Sequence, residues 1–161
     1  MTVITDLIND SDGESVPDPE RFRHWAETTI QTVQPPRPAG KPVSVSIRIV
    51  DSNESAALNH RFRDKDYATN VLSFGCELPD MMLTQMAEQP LGDLVICAAV
   101  VDREAQEQNK TIDAHWAHMV VHGILHLSGY DHIDDEDAQQ MESQEIRILA
   151  HLGFDNPYLA H

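Results

Sequence analysis

The sequence predicts one small α/β or α+β domain, a sheet covered by helices. Three observations carry that reading. The chain has 161 residues, enough for one hydrophobic core and little more. Hydrophobic residues make up 41% of it, the share of a folded protein rather than a disordered chain. Short apolar runs with strand periodicity alternate with helical periods through the middle of the chain, the pattern of helices packed on a sheet.

The elements follow in order. Val3–Leu7 reads as a short first strand. Asp18 followed by Pro19 reads as an N-cap with Pro at N1. It opens a helix with Phe22, Trp25, Ile30 and Val33 on one side, and Gln34–Pro42, with its four prolines and one glycine, ends it. Val43, Val45, Ile47 and Ile49 alternate with Ser44, Ser46 and Arg48, the signature of a half-buried strand. Asp51 and Glu54 have capping-box spacing, with Ala57, Leu58 and Phe62 as the apolar stripe of the helix they open. Val71–Phe74 and Leu94–Cys97 are short apolar strands, separated by a long loop at Cys76–Gly92. Ala98–Gln108 is a helix, and Thr111 with Asp113 opens another that runs to Leu127. Asp134 caps a last helix, with Met141, Ile146, Leu149 and Leu152 facing inward and Gly153 at C′. Both tryptophans are expected in the core, and Cys97 buried and inert.

Composition excludes several functions. The longest apolar run, Leu94–Val101, has eight residues, too few to span a bilayer. The start, MTVITDLINDSDGES, puts Asp6 and Asp10 where a signal peptide needs a basic and then an apolar stretch. A cytoplasmic protein is therefore expected, with Cys76 and Cys97 as reduced thiols. There are 27 Asp and Glu against 11 Lys and Arg, a formal net charge of -16. A surface so acidic repels phosphate backbones in general. The charge is uneven, however: residues 1–70 carry eight cations and eleven acids, residues 71–161 three cations and sixteen acids. A local basic face in the first half is compatible with that split.

The chemistry concentrates in HWAHMVVHGILHLSGYDH, which holds five of the nine histidines. His122 and His126 are four apart on a predicted helix, so both imidazoles lie on one face and reach one ion. Gly129 supplies a helix-ending turn that returns His132 to the same point. Three neutral imidazoles with an open fourth position describe a catalytic zinc site, whereas a structural site would want four closed ligands. His115 and His118 are read as packing or hydrogen-bonding residues, His118 as a support for the ligands. Asp131 stands beside His132 as a further candidate support, or as a simple turn residue. The metalloprotease pattern HExxH needs a glutamate where this chain has Gly123, so peptide hydrolysis by a helix-borne base is not expected. The nucleophile is then expected to depend on the ion, which lowers the pKa of bound water towards about 7.

HGILHLSGYDH resembles the motif of the YbeY family, bacterial zinc-dependent endoribonucleases of ribosomal RNA maturation. LNHRFRDKDYATNVLSF (residues 58–74) and LGDLVICAAVV (residues 91–101) resemble its second and third signatures, and DAHWAHMVVHG is similar to the lead-in of its metal helix. SFG at Gly75 departs from the SFP of many members. The resemblance implies a single metal-dependent hydrolase domain over residues 1–161, α/β (α+β), with a small four-stranded mixed sheet under about five to six helices. It implies one zinc per chain on His122, His126 and His132, and Arg63 as the functional arginine. The implied activity is single-strand-specific endonuclease cleavage in 16S rRNA 3′-end maturation and 70S ribosome quality control. The implied partners are ribosomal RNA, the small subunit or 70S ribosome and its assembly proteins.

Arg63 also makes chemical sense alone, because a guanidinium stabilises the charge that builds on a phosphate under attack. Arg61 and Lys65 alternate with it and are candidate RNA contacts, sharing a face if extended and spreading if helical. The alternative reading is a ribosome-associated assembly factor whose zinc is mainly structural and which acts through protein partners. A metal hydrolase acting on another substrate is a third reading.

Overall fold

The computed structural model describes residues 1–13, 15–37, 40–131 and 133–159. Four strands form a single mixed sheet among them: β1 Val3–Asn9, β2 Val43–Val50, β3 Val71–Gly75 and β4 Gln89–Cys97, in the order β1-β2-β4-β3. β1, β2 and β4 run parallel, with Val3 opposite Val43 and Val43 opposite Gln89. β3 closes one edge antiparallel to β4, with Val71 opposite Ile96 and Gly75 opposite Gly92. Six helices join and cover them: α1 Pro19–Val33, α2 Ser52–Arg63, α3 Asp80–Gln85, α4 Ala98–Glu107, α5 Ile112–Leu127 and α6 Asp135–His151.

The sheet sorts its side chains by alternation. Val43, Val45, Ile47 and Ile49 of β2, with Leu94 and Ile96 of β4, enter a core completed by Phe22 and Ile30 of α1, Trp116 and Ile124 of α5, and Met141 and Leu149 of α6. Phe22 meets Trp25 and Trp116 edge-on, each at 5.5 Å between ring centres, the geometry that opposed ring quadrupoles favour. Val50, Leu72 and Val95 form a smaller cluster on the other face, with Leu58 and Phe74 against it. α5 lies at the centre of the larger core and is buried almost all round, so any polar group it carries needs a partner.

Several elements differ from the sequence reading. β2 is more than half-buried, with Ser44 covered as well, because it lies between two parallel neighbours. The Asp51–Glu54 capping box does not form. Asp51 is the N-cap of α2 without a side-chain cap bond; its carboxylate accepts from the Asp12 amide, and Glu54 pairs with Arg48. The buried face of α2 is Ser55 and Asn59 rather than the expected apolar stripe. These two polar side chains fasten the following loop: Asn59 donates to the Tyr67 carbonyl at 2.9 Å and Ser55 to the Thr69 carbonyl at 3.1 Å. The Cys76–Gly92 loop contains α3 and the start of β4. On α6 the inward residues are Met141, Glu145, Ile148 and Leu149, with Ile146 only half-buried. Both tryptophans and Cys97 are buried as expected.

Candidate metal centre and its surroundings

α5 is fixed at both ends. The Thr111 hydroxyl accepts from the Ala114 amide at 3.1 Å, and Asp113 in the first turn pairs with Arg21 of α1. At the other end Gly129 takes a φ of 103°. The Gly129 amide donates to the His126 carbonyl and the Tyr130 amide to the Leu125 carbonyl. This is the paired 6→1 and 5→2 arrangement of a Schellman turn, and it reverses the chain immediately before Asp131. His132 itself lies outside the described residues.

Gly123 has a packing reason to be glycine. A Cβ there would come within 2.6 Å of Leu94 Cδ2, so α5 touches β4 at this point with no room for a side chain. A side chain next to His122 would have to displace Leu94, so the helix–sheet contact disfavours the glutamate of an HExxH pattern.

His122 is half-buried, and its Nδ1 lies 2.7 Å from Oε1 of Glu145 on α6. The carboxylate is wholly buried. Its Oε2 meets His118 Nε2 at 2.9 Å and accepts a hydrogen bond from the Tyr158 hydroxyl. Burial acts to raise the Glu145 carboxyl, but the hydrogen bonds from His118 and His122 outweigh it and hold it down at about 2. Burial pushes His118 below the usual imidazole range. Its Nδ1 then faces Lys110 Nζ at 3.5 Å, and burial lowers that ammonium in turn. The Tyr158 phenol is driven up by its own burial and by the adjacent carboxylate. One turn from His118, His115 Nε2 lies 3.0 Å from Glu104 Oε1, which also accepts from Asn70 Nδ2 at 3.0 Å.

Imidazoles are ligands for divalent ions of borderline softness, and the surroundings of His122 fit that chemistry from behind. Nδ1 of His122 faces a carboxylate, which fixes the tautomer and turns Nε2 to the opposite side of the ring, the carboxylate–histidine arrangement found behind metal-bound imidazoles. His126 is one turn further along α5 and exposed. Among the described residues no group of three or more His, Cys, Asp or Glu is arranged to hold an ion by itself. Asp131, the residue before His132 in the sequence, is half-buried.

Arg63 ends α2 at the sheet's edge. Its guanidinium donates to the Ser73 carbonyl at 2.9 Å and the Phe62 carbonyl at 3.1 Å, and covers the Phe74 ring at 5.2 Å. The Ser73 hydroxyl in turn donates to the Gly123 carbonyl at 3.5 Å. Arg63 is thus two contacts from the backbone next to His122. Arg61 covers the exposed Phe62 ring at 5.1 Å, and Phe62 meets Phe74 edge-on at 5.2 Å. Lys65 lies past the αL residue Asp64, which ends the helix. The three cations therefore spread rather than share one face. A groove of about 650 Å³ passes Phe62, Arg63, Ser73 and Phe74, and a cleft of about 840 Å³ lies against His115, His118, His122 and Tyr158.

Sequence reasoning missed Glu145 and Tyr158. Glu145 had a signal: it recurs at helical spacing with Met141, Ile148 and Leu149, so a carboxylate stands on an apolar stripe. Tyr158 had none, since only the fold brings it to α6.

The fold and this site define a class: α+β domains that carry a row of histidines on a buried helix, two of them, His118 and His122, bonded to one carboxylate on the next helix. Comparison with known proteins narrows it. The model of the family described as "Endoribonuclease YbeY" matches residues 7–153. Curated relatives of the same name include one from Pseudomonas savastanoi pv. phaseolicola, 54% identical over 89% of this chain and 81% of its own. Another, from Pseudomonas fluorescens, is 51% identical over 90% of both chains. The solution structure of a Thermotoga maritima protein superposes with a TM-score of 0.59 at 25% identity, over 92% of this chain and 89% of that one. The chain belongs to the endoribonuclease YbeY family.

Proposed function

We propose that this chain is a cytoplasmic, single-strand-specific endoribonuclease that uses one zinc ion held by His122, His126 and His132. Its proposed role is 16S rRNA 3′-end maturation and late 70S ribosome quality control, in contact with the ribosome and its assembly proteins. The observation that carries the reading is the link from Arg63 through Ser73 to Gly123. It sets the proposed phosphate-binding group on the strand whose Ser73 hydroxyl approaches the backbone beside His122. The Arg61–Phe62–Phe74–Arg63 cluster supports single-stranded RNA in particular, since the exposed Phe62 ring with its neighbouring guanidiniums offers a stacking surface to unpaired bases.

A bound zinc supplies Lewis-acid and water-activating chemistry. The chain supplies the rest. Glu145 holds His122 in the tautomer that presents Nε2. His118, neutral because it is buried, donates to Glu145 and accepts from Lys110, so the carboxylate stays ionised without a second positive charge beside it. Arg63 spends two of its five N–H donors on carbonyls and keeps others for the phosphate, where charge builds during cleavage.

The test is cleavage of precursor 16S RNA by the zinc-loaded chain beside His126→Ala purified identically. Cleavage by the wild type alone supports the reading, and the end groups then separate attack by water from attack by a ribose 2′-hydroxyl. No cleavage, or equal cleavage by both, overturns it in favour of an assembly factor acting through protein partners.

A further inference from the structure

We infer that Tyr158 is a positioning residue for His122, acting through Glu145, and that residues 153–159 form the strap that holds it there. The inference rests on the metal role given to His122 above.

A buried, ionised carboxylate needs donors on both oxygens. Glu145 receives one donor on Oε1, from His122, and two on Oε2, from His118 and Tyr158. His118 and His122 belong to the same helix, so those two bonds alone let the carboxylate follow any sliding of α5 against α6. The tyrosine comes from a different segment and ties the carboxylate to a third point. Its ring stands edge-on to His118, 5.6 Å between centres at 85°, which limits rotation of that imidazole as well.

The strap is anchored twice before it reaches Glu145. α6 ends in a Schellman turn, with Gly153 at a φ of 93°, its amide on the Ala150 carbonyl and the Phe154 amide on the Leu149 carbonyl at 2.8 Å. The turn sets Phe154 against Trp25 of α1, 6.2 Å between ring centres. Asn156 then accepts the Tyr158 amide on its side-chain oxygen at 2.8 Å and the Leu159 amide on its carbonyl at 3.3 Å. Tyr158 is therefore delivered by two local turns and an aromatic contact, although half of its side chain faces solvent. It lies beyond the segment matched by the family model, so this part of the ligand support is carried by the chain outside that shared segment.

The experiment uses the full chain and zinc alone, measured by competition with a chromophoric chelator. Tyr158→Phe keeps the ring and removes the donor; Glu145→Gln and His122→Ala are the references. Tyr158→Phe is expected to weaken zinc binding about tenfold, the low end for loss of a group that supports a ligand, while the metal-free variant still unfolds in one cooperative transition, at a lowered temperature because a buried carboxylate has lost a donor. Nitrogen-15 NMR of the metal-free chain is expected to show a shifted His122 Nδ1–H resonance in the same variant. Wild-type zinc affinity and an unmoved resonance in Tyr158→Phe, with Glu145→Gln impaired, overturn the inference and leave Tyr158 as packing. Wild-type affinity in His122→Ala overturns the metal role itself, and the positioning role with it.

Discussion

At the scale of single residues, the sharpest case is Gly123. Its sequence meaning was the absence of a base; its structural meaning is contact. Gly123→Ala drives a methyl into Leu94, which is wholly buried. A loss of about 1–3 kcal/mol is expected for such overpacking, read from the urea midpoint. Adding Leu94→Ala should return less than a fully additive penalty, because the two substitutions share one space. Glu104 gives a prediction in pH. The hydrogen bond from His115 holds its carboxyl below the ordinary range against the opposing effect of burial, with Asn70 assisting. A depressed folded value means the group's stabilisation is present above the unfolded value near 4.5 and is lost as pH falls through the folded one. Glu104→Gln is therefore expected to lower the midpoint at pH 7 and to narrow the gap to wild type in acid, measured by urea unfolding across that range.

At the scale of elements, helix ends were legible where the signal is local. Thr111, Asp134, Gly129 and Gly153 do what their residue types predict, because a cap or a left-handed turn depends on a few neighbouring atoms. The His122–His126 spacing was legible for the same reason, since helical geometry alone puts the pair on one face. What failed was decided by distant partners: Asp51 and Glu54 were diverted to Asp12 and Arg48, and the inner face of α2 turned polar to hold a loop. Glu145 stood out as a carboxylate on an apolar stripe, but its partners could not be read, since they lie on another helix and past the end of α6. Gly129→Ala and Gly153→Ala meet no neighbouring atom, so each should lose about 1–2 kcal/mol from backbone strain alone. Equal losses in thermal or urea unfolding, with zinc binding impaired in both, would connect each turn to the group it delivers.

For the whole molecule, the net charge of -16 confines any contact with RNA to a small part of the surface. The tip of α2 and the edge of β3 gather Arg61, Arg63 and the exposed ring of Phe62. Arg63→Ala is expected to keep one zinc per chain and a wild-type unfolding midpoint while losing RNA processing. Arg61→Ala and Lys65→Ala should each reduce the slope of log affinity against log salt by about 1, measured on a single-stranded oligonucleotide. Loss of zinc from Arg63→Ala would make that arginine structural.

The strand order β1-β2-β4-β3 also governs how the chain reaches this state. β1 finds β2 only after α1 has intervened, and β2 finds β4 across α2, β3 and α3. The one antiparallel pairing, β3 with β4, likewise spans a segment that contains a helix, α3. Among the described residues no tight hairpin is available to start the sheet, so large loops must close before any parallel ladder gains a hydrogen bond. Refolding is expected to be slow for a chain of this length, with the central strand β2 gaining amide protection late and in step with β1 and β4.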